Sequence, residues 1–193
     1  MSTPTREDQQ QAQETLAYIR QTMESAASFT AVSGWGLVGV GTAGFLAAAA
    51  SSRLGGVANL RVWIPTATFA IALSMVANAW KARKLDVALW SGSFRKVVWV
   101  MAPMLAAGAL LTYGLFRAGQ TALLPATWLL LYGAGVTAGG TLSVRAIRSM
   151  GVVLLLLGAA ALFRPIYGAV LLAAGFGAVH VIFGIVLVQR HGG

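Results

Sequence analysis

His180 is the one ionisable side chain that the sequence places deep inside an apolar stretch, in the segment GFGAVHVIFG. An imidazole at such a depth could bind a ligand or respond to protons. It could instead stay neutral and form a hydrogen bond to another helix, for example to Asn78 or to a Ser or Thr hydroxyl. The lack of an acidic partner in the apolar stretches favours this structural role. Asn78, near the end of the second apolar stretch, has the same two interpretations.

Several hydroxyl groups also fall within the apolar stretches. Tyr113 and Tyr132, together with Thr112, Thr137 and Thr141, are candidates for lining a small, largely apolar cavity at mid-depth. Such a cavity would suit a lipid, a quinone or another hydrophobic ligand. Ordinary hydrogen bonding between helices is the favoured alternative. The candidate ligand or interhelical polar residues are therefore His180, Asn78, Tyr113 and Tyr132.

The acidic residues all lie outside the apolar stretches, at Glu7, Asp8, Glu14, Glu24 and Asp86. Proton-coupled transporters and acidic-ring channels use carboxylates within the membrane, so the sequence argues against both classes. General acid–base hydrolysis lacks its residues as well. With no Cys and two His residues, the chain has neither thiolate chemistry nor a His/Cys metal cluster. We therefore expect a protein that is not an enzyme, with no catalytic, metal-binding or cofactor-binding residues.

The composition indicates what surrounds the chain. Hydrophobic residues make up 58% of it and charged residues 10%, whereas soluble domains carry roughly a quarter charged residues. The mean hydropathy is +0.75. A spanning helix needs about 20 apolar residues, and six stretches approach that length, at 31–50, 62–80, 97–116, 122–142, 146–163 and 166–188. The sequence thus predicts an all-α, polytopic transmembrane helix bundle of six spans in three hairpins.

The basic residues predict the orientation of these spans. Ten of them fall on one side: Arg6, Arg20, Lys81, Arg83, Lys84, Arg95, Lys96, Arg145, Arg148 and Arg190. Four fall on the other: Arg53, Arg61, Arg117 and Arg164. The positive-inside rule then predicts a multi-pass protein of a bacterial inner membrane with both termini in the cytoplasm. The net charge of +9 is attributed to this topology, and no nucleic-acid partner is expected.

Residues 1–30 form a separate predicted unit, a cytoplasmic amphipathic helix with Leu16, Ile19 and Met23 on one stripe. The helix could lie in the membrane interface, pack on the basic loop 81–96 or on a partner, or simply orient the first span. Its polar face has both signs of charge, which favours packing against protein over binding to anionic lipid. Residues 31–188 form the transmembrane domain and 189–193 a cytoplasmic tail.

Small residues recur four apart at Gly39-Ala43-Ala47, Gly135-Gly139 and Ala169-Ala173-Gly177. Such spacing lets two helix backbones approach closely. Gly135 and Gly139 are predicted to serve helix packing within the chain in preference to dimerisation.

Four segments carry a family resemblance: YIRQTMESAASFTAVSGWG, LWSGSFRK, LLPATWLLLYGAGVTAGG and GFGAVHVIFGIVLVQRHGG. With them, nearly the whole chain resembles a family of uncharacterised bacterial six-span integral membrane proteins. The resemblance implies a bacterial inner-membrane setting and no particular activity.

Two functional hypotheses follow. The first is a non-enzymatic membrane protein that binds a hydrophobic ligand or a protein partner in a sensing or scaffolding role. The second is a transporter of small uncharged solutes or lipids, suggested by glycine-interrupted helices. The expected partners are membrane lipid and either a cytoplasmic protein or a second copy of the chain.

Overall fold

The computed structural model describes Gln11, Gln13, Thr15, Leu16 and residues 32–53, 60–84, 90 and 92–191. Five long helices come first: α1 (Gly34–Arg53), α2 (Leu60–Lys84), α3 (Gly92–Arg117), α4 (Leu124–Gly139) and α5 (Arg145–Phe163). The sixth span, Pro165–Arg190, is composite. It contains a 3₁₀ turn (Pro165–Tyr167), α6 (Gly168–Ala173), a π-helical segment (Ala174–Val179) and α7 (His180–His191). Further 3₁₀ turns occupy Thr121–Leu123 and Gly140–Leu142.

Six helices in the described part of the chain are long and apolar enough to cross a membrane. The predicted all-α, six-span class is therefore confirmed. Of the amphipathic helix predicted for 1–30, the structure describes Gln11, Gln13, Thr15 and Leu16, and the rest of the prediction lies outside the described residues. At the other end of the chain α7 continues to His191, into the segment predicted as a tail.

The predicted loop 81–96 is shorter than expected. Helix α2 continues to Lys84 and α3 begins at Gly92, so the basic residues that flank the loop belong to helices. Lys and Arg are good helix formers, and cations are favourable in the last turn of α2, where the helix dipole is negative. The two helices therefore extend past their apolar segments.

The loop after α3 requires a glycine. Gly119 has a φ of +70°, which other residues adopt at a cost. The N–H of Gln120 donates to Leu115 O and that of Gly119 donates to Phe116 O. This is a Schellman motif, which satisfies the last carbonyl groups of the helix.

Helices α4 and α5 form the tightest pair, and they run antiparallel. A Cβ at Gly133 would lie 2.9 Å from Leu155 N, and one at Gly158 would lie 2.8 Å from Leu130 N. Nearer the other end, Gly140 lies against the backbone of Arg148. Around this pair the core contains the fully buried side chains of Leu129, Met150 and Leu154.

Helix α1 packs antiparallel on the sixth span through glycines spaced seven apart on both. A Cβ at Gly34 would lie 2.7 Å from Gly184 O, and one at Gly41 would lie 2.7 Å from Gly177 O. A Cβ this close to a backbone oxygen would clash, so the two backbones can approach here only because both helices have glycine. The predicted series Gly39-Ala43-Ala47 is therefore not the contact face as a whole, because Gly39 faces Leu73 of α2.

Helices α2 and α3 lie at the periphery. Helix α2 packs on α1, where Gly36 meets Ala77, and α3 packs on α4. Of the most apolar window of each helix, 0% of α2 and 6% of α3 is buried, so most of their surface lies on the outside of the bundle. The end of α2 and the start of α3 meet in a small cluster containing Ala82 and Phe94.

Alternation of the helices separates the described cations into two groups. One end of the bundle, called here the basic end, has Lys81, Arg83, Lys84, Arg95, Lys96, Arg145, Arg148 and Arg190. The opposite end has Arg53, Arg61, Arg117 and Arg164. All five acidic residues of the sequence lie outside the described residues.

Candidate polar site in the membrane interior

The structure brings together two of the four predicted polar residues, His180 and Tyr132. The imidazole of His180 is 0% exposed, and its Nδ1 lies 2.9 Å from Gly175 O. Because a carbonyl oxygen only accepts, Nδ1 is the donor. In the neutral ring Nε2 then accepts a hydrogen bond from the hydroxyl of Tyr132, at 3.1 Å. Both ring nitrogens are thus satisfied inside the bundle.

The acceptor of this histidine belongs to the π-helical segment Ala174–Val179. A π turn is rare and widens the helix locally, and it occurs often at functional positions. Here the segment ends immediately before His180. Its Gly175 lies against the side chain of Leu129 on α4. The absence of a side chain at Gly175 lets the segment approach α4, which in turn brings Tyr132 within reach of His180.

An aromatic cluster surrounds the pair. The ring of Phe176 lies 5.7 Å from that of His180 with an interplanar angle of 15°. It also lies 5.2 Å from the ring of Tyr132. Trp63, from α2, extends the cluster at 6.3 Å from Phe176. Ring contacts at such distances stabilise beyond the area they bury.

Asn78 serves a different part of the molecule. Its Oδ1 accepts a hydrogen bond of 2.8 Å from the backbone N–H of Ser33, just before α1. Ser33 in turn accepts from Gly36 N–H at 3.1 Å, which is an N-cap interaction. Asn78 therefore attaches the start of α1 to the end of α2 and does not contact the histidine.

Lys81 reinforces the same attachment, and sequence patterns did not single it out. It is 3% exposed, although lysine is almost never fully buried. Its Nζ donates to Val32 O at 3.2 Å. Lys81 follows Asn78 by one turn of α2, so their spacing is compatible with one shared face of the helix. No sequence signal, however, distinguishes Lys81 from the exposed cations next to it.

Tyr113 and the threonines make separate contacts. Tyr113 is 67% exposed on the outside of α3. Thr137 donates to Gly133 O and Thr141 to Ala138 O, each within its own helix. Thr112 accepts a hydrogen bond of 3.0 Å from the indole N–H of Trp128 and so joins α3 to α4.

Gly135 and Gly139 lie on the face of α4 that meets α3. A Cβ at Gly135 would lie 2.8 Å from the sulfur of Met101, and one at Gly139 would lie 3.5 Å from a methyl group of Val97. Gly135 is the tighter contact. Their neighbours in the structure are side chains of the same chain.

A cavity of about 30 Å³ lies near the opposite end, lined by Ala48, Ser52, Trp63 and Ala169. A space of this size holds about one water molecule. Nearby, the buried hydroxyl of Ser51 has no hydrogen-bond partner in the described part of the chain. Among the described residues, no group of three or more His, Cys, Asp or Glu side chains comes together.

The fold and this interior site define an all-α, multi-span membrane protein whose buried histidine is satisfied by its own neighbours. No family model, curated protein or solved structure matches the chain. The family resemblance of the sequence therefore stays a prediction, and only its six-span architecture is borne out by the helices.

Proposed function

We propose that this is a non-enzymatic protein of a bacterial inner membrane that binds a protein partner in a scaffolding or sensing role. The observation that supports it is the closure of the interior site. Both nitrogens of His180 are bonded, and the ring is fully buried. A proton relay or ligand site needs an accessible group, whereas a scaffold needs a rigid interior with its charges at the ends.

Charge at the basic end is the feature available to a partner. Besides the buried Lys81, seven exposed cations lie there, and Trp90 beside them is 59% exposed. A cytoplasmic partner with an acidic surface would be attracted to this end. The proposal includes the topology of the sequence prediction, with both termini in the cytoplasm.

The first experiment tests the topology. Because the sequence has no cysteine, a thiol reagent labels only the cysteine that is introduced. Arg190→Cys and Arg117→Cys are labelled with a membrane-impermeant maleimide in right-side-out and inside-out vesicles. We expect Arg190→Cys to react in inside-out vesicles and Arg117→Cys in right-side-out vesicles. The reverse pattern, or labelling of both variants from one side, would contradict the proposed orientation.

Partner binding is tested by a photo-crosslinking amino acid at Trp90, with the same substitution at Phe116 near the opposite end as the control. We expect one discrete ultraviolet-dependent adduct from position 90 in intact cells and none from position 116. Lack of an adduct at position 90 would argue against a partner on this surface.

A transporter of small uncharged solutes or lipids is the second candidate. The π-helical segment supports it, since interrupted helices line the substrate sites of many transporters. Flux into liposomes containing the purified protein tests this function. Flux that depends on the protein would favour transport over scaffolding, and a lack of flux would count against this second candidate.

A further inference from the structure

The end of α2 and the start of α3 carry the same side-chain pattern in mirror order. Helix α2 reads Trp-Lys-Ala-Arg-Lys at 80–84, and α3 reads Arg-Lys-Val-Val-Trp at 95–99. The helices run in opposite directions through the basic end. Each therefore presents a pair of cations about one turn, or roughly 6 Å, beyond a tryptophan.

The members of both sets are exposed. Trp80 is 53% exposed and Trp99 is 74% exposed, and the cations Arg83, Lys84, Arg95 and Lys96 are exposed as well. On α2 the two types of side chain are in contact, with Lys84 Nζ 3.7 Å from the ring centroid of Trp80. That contact fixes the lysine near the tryptophan through a cation–π interaction.

Buried residues on the opposite faces hold the two helix ends together. Ala82 and Phe94 belong to one apolar cluster with Val32 and Val98. Since Ala82 lies between the tryptophan and the cations of α2, and Phe94 precedes those of α3, the two sets are neighbours at the basic end. Along the rest of their length both helices bury little of their surface within the bundle.

Depth and charge together specify the partner. Tryptophan prefers the headgroup level of a membrane, so cations one turn further out reach the phosphate groups. The sequence places ten basic and five acidic residues on this side. Lys81 is buried and bonded to Val32 O, so even if every acidic residue paired with one of the other nine cations, four would remain for another anion.

We propose that these two sets form a binding site for an anionic phospholipid with two phosphates, a diphosphatidyl lipid. Arg83 and Lys84 hold one phosphate, and Arg95 and Lys96 hold the other. Basic pockets between spans on the cytoplasmic side are suited to such headgroups. The paired tryptophans pack against the glycerol and upper acyl region. The site uses four of the exposed cations of the basic end and leaves three others, on α5 and α7, for the proposed protein partner.

Lipid retention by the purified full-length protein tests the proposal. Cardiolipin, phosphatidylglycerol and phosphatidylcholine are offered in detergent, and bound lipid is measured by native mass spectrometry. Near a membrane surface each cation strengthens binding of anionic lipid roughly fivefold, so R83Q/K84Q and R95Q/K96Q should each weaken cardiolipin binding by roughly 25-fold. The matched control R117Q/R164Q, at the opposite end, should leave it unchanged.

Four results would overturn the site. The first two are retention of phosphatidylcholine equal to that of cardiolipin, and retention of phosphatidylglycerol equal to that of cardiolipin at the same phosphate concentration. The third is a loss of cardiolipin binding in R117Q/R164Q equal to that in the other two double variants. The fourth is unchanged cardiolipin binding in R83Q/K84Q and R95Q/K96Q. A fourth variant, E7Q/D8N/E14Q/E24Q, tests the acidic residues of the N-terminal segment as the occupant. Binding that appears only in this variant would assign the cations to the N-terminal segment instead. Melting temperatures without lipid confirm that each variant is folded.

Discussion

The hydroxyl of Tyr132 on α4 and Nε2 of His180 in the sixth span are 3.1 Å apart, and their rings stack at 5.6 Å. This pair joins two elements that the chain separates by 48 residues. It also explains how an imidazole can lie fully buried in an apolar bundle. With Gly175 O as the second partner, no polar atom of the ring is left without a hydrogen bond.

Replacement of Tyr132 by Phe should destabilise the bundle. The change removes the donor to His180 Nε2 and leaves a buried acceptor unsatisfied. Hydrogen bonds between membrane helices are worth about 0.6 kcal/mol on average and up to about 1.7 kcal/mol, and we expect a value toward the upper end. Titration with SDS, followed by far-UV circular dichroism, measures the free energy of unfolding.

Tyr113→Phe is the control for that measurement, because the hydroxyl of Tyr113 lies on an exposed side chain. It should change stability by less than about 0.5 kcal/mol, as surface substitutions usually do. Equal effects at the two tyrosines would show that the Tyr132–His180 hydrogen bond contributes nothing to stability.

Glycine at position 41 should be essential for closure of the bundle. A Cβ there would lie 2.7 Å from the backbone oxygen of Gly177, and backbone cannot move aside as a side chain can. Overpacking of this kind costs about 1–3 kcal/mol, so Gly41→Ala should unfold at clearly lower SDS concentration.

Gly114→Ala provides the opposite case in the same assay. Nothing lies within 4 Å of a Cβ at Gly114, inside α3. Alanine has a higher helix propensity than glycine by about 1 kcal/mol, so this variant should be as stable as the wild type or more so. A Gly41→Ala variant with the stability of Gly114→Ala would refute the close contact.

Replacement by alanine should destabilise the protein at one of the two buried serines of the α1 region and not at the other. Ser33 accepts a hydrogen bond from Gly36 N–H as the N-cap, and loss of a cap costs about 1 kcal/mol. Ser51 is buried with no partner for its hydroxyl among the described residues, and an unsatisfied buried hydroxyl is itself unfavourable by about 1–3 kcal/mol. Ser33→Ala should therefore lower the melting temperature in detergent, and Ser51→Ala should maintain or raise it. Destabilisation by Ser51→Ala would indicate a partner for that hydroxyl.

Asn78→Leu should loosen the start of α1. Without Asn78 Oδ1, the backbone N–H of Ser33 loses its acceptor, and a buried unsatisfied donor costs about 1–3 kcal/mol. On the same helix, exposed Thr68 bonds to Ile64 O, so Thr68→Val serves as the control and should be nearly neutral. Hydrogen–deuterium exchange gives a local readout, with faster exchange at residues 33–37 in Asn78→Leu alone. Unchanged exchange there would contradict the attachment.

Hydropathy and charge were enough to predict the number of spans and the grouping of cations, because lipid requires apolar helices of a minimum length. The sequence patterns did not predict where α2 ends and α3 begins. Arg83, Lys84, Arg95 and Lys96 were assigned to a loop, since their charge marks the limit of the membrane but not the limit of the helix. His180 was recognised from its depth alone, and Tyr132 was among the candidate residues, but the pairing of the two was not predicted.

What the sequence determined by itself is thus the solvent of this chain: lipid around six helices, with the cations outside. Only the tertiary structure decided that Tyr132, and not Asn78, bonds to His180, and that Gly41 and Gly177 form a contact while Gly39 faces α2. The physical reason is that burial in lipid acts on each residue type separately, whereas a hydrogen bond or a close backbone contact depends on how two distant helices are rotated and shifted against each other. In this protein that placement is set by glycines and by one π turn, whose effects appear only after the helices pack.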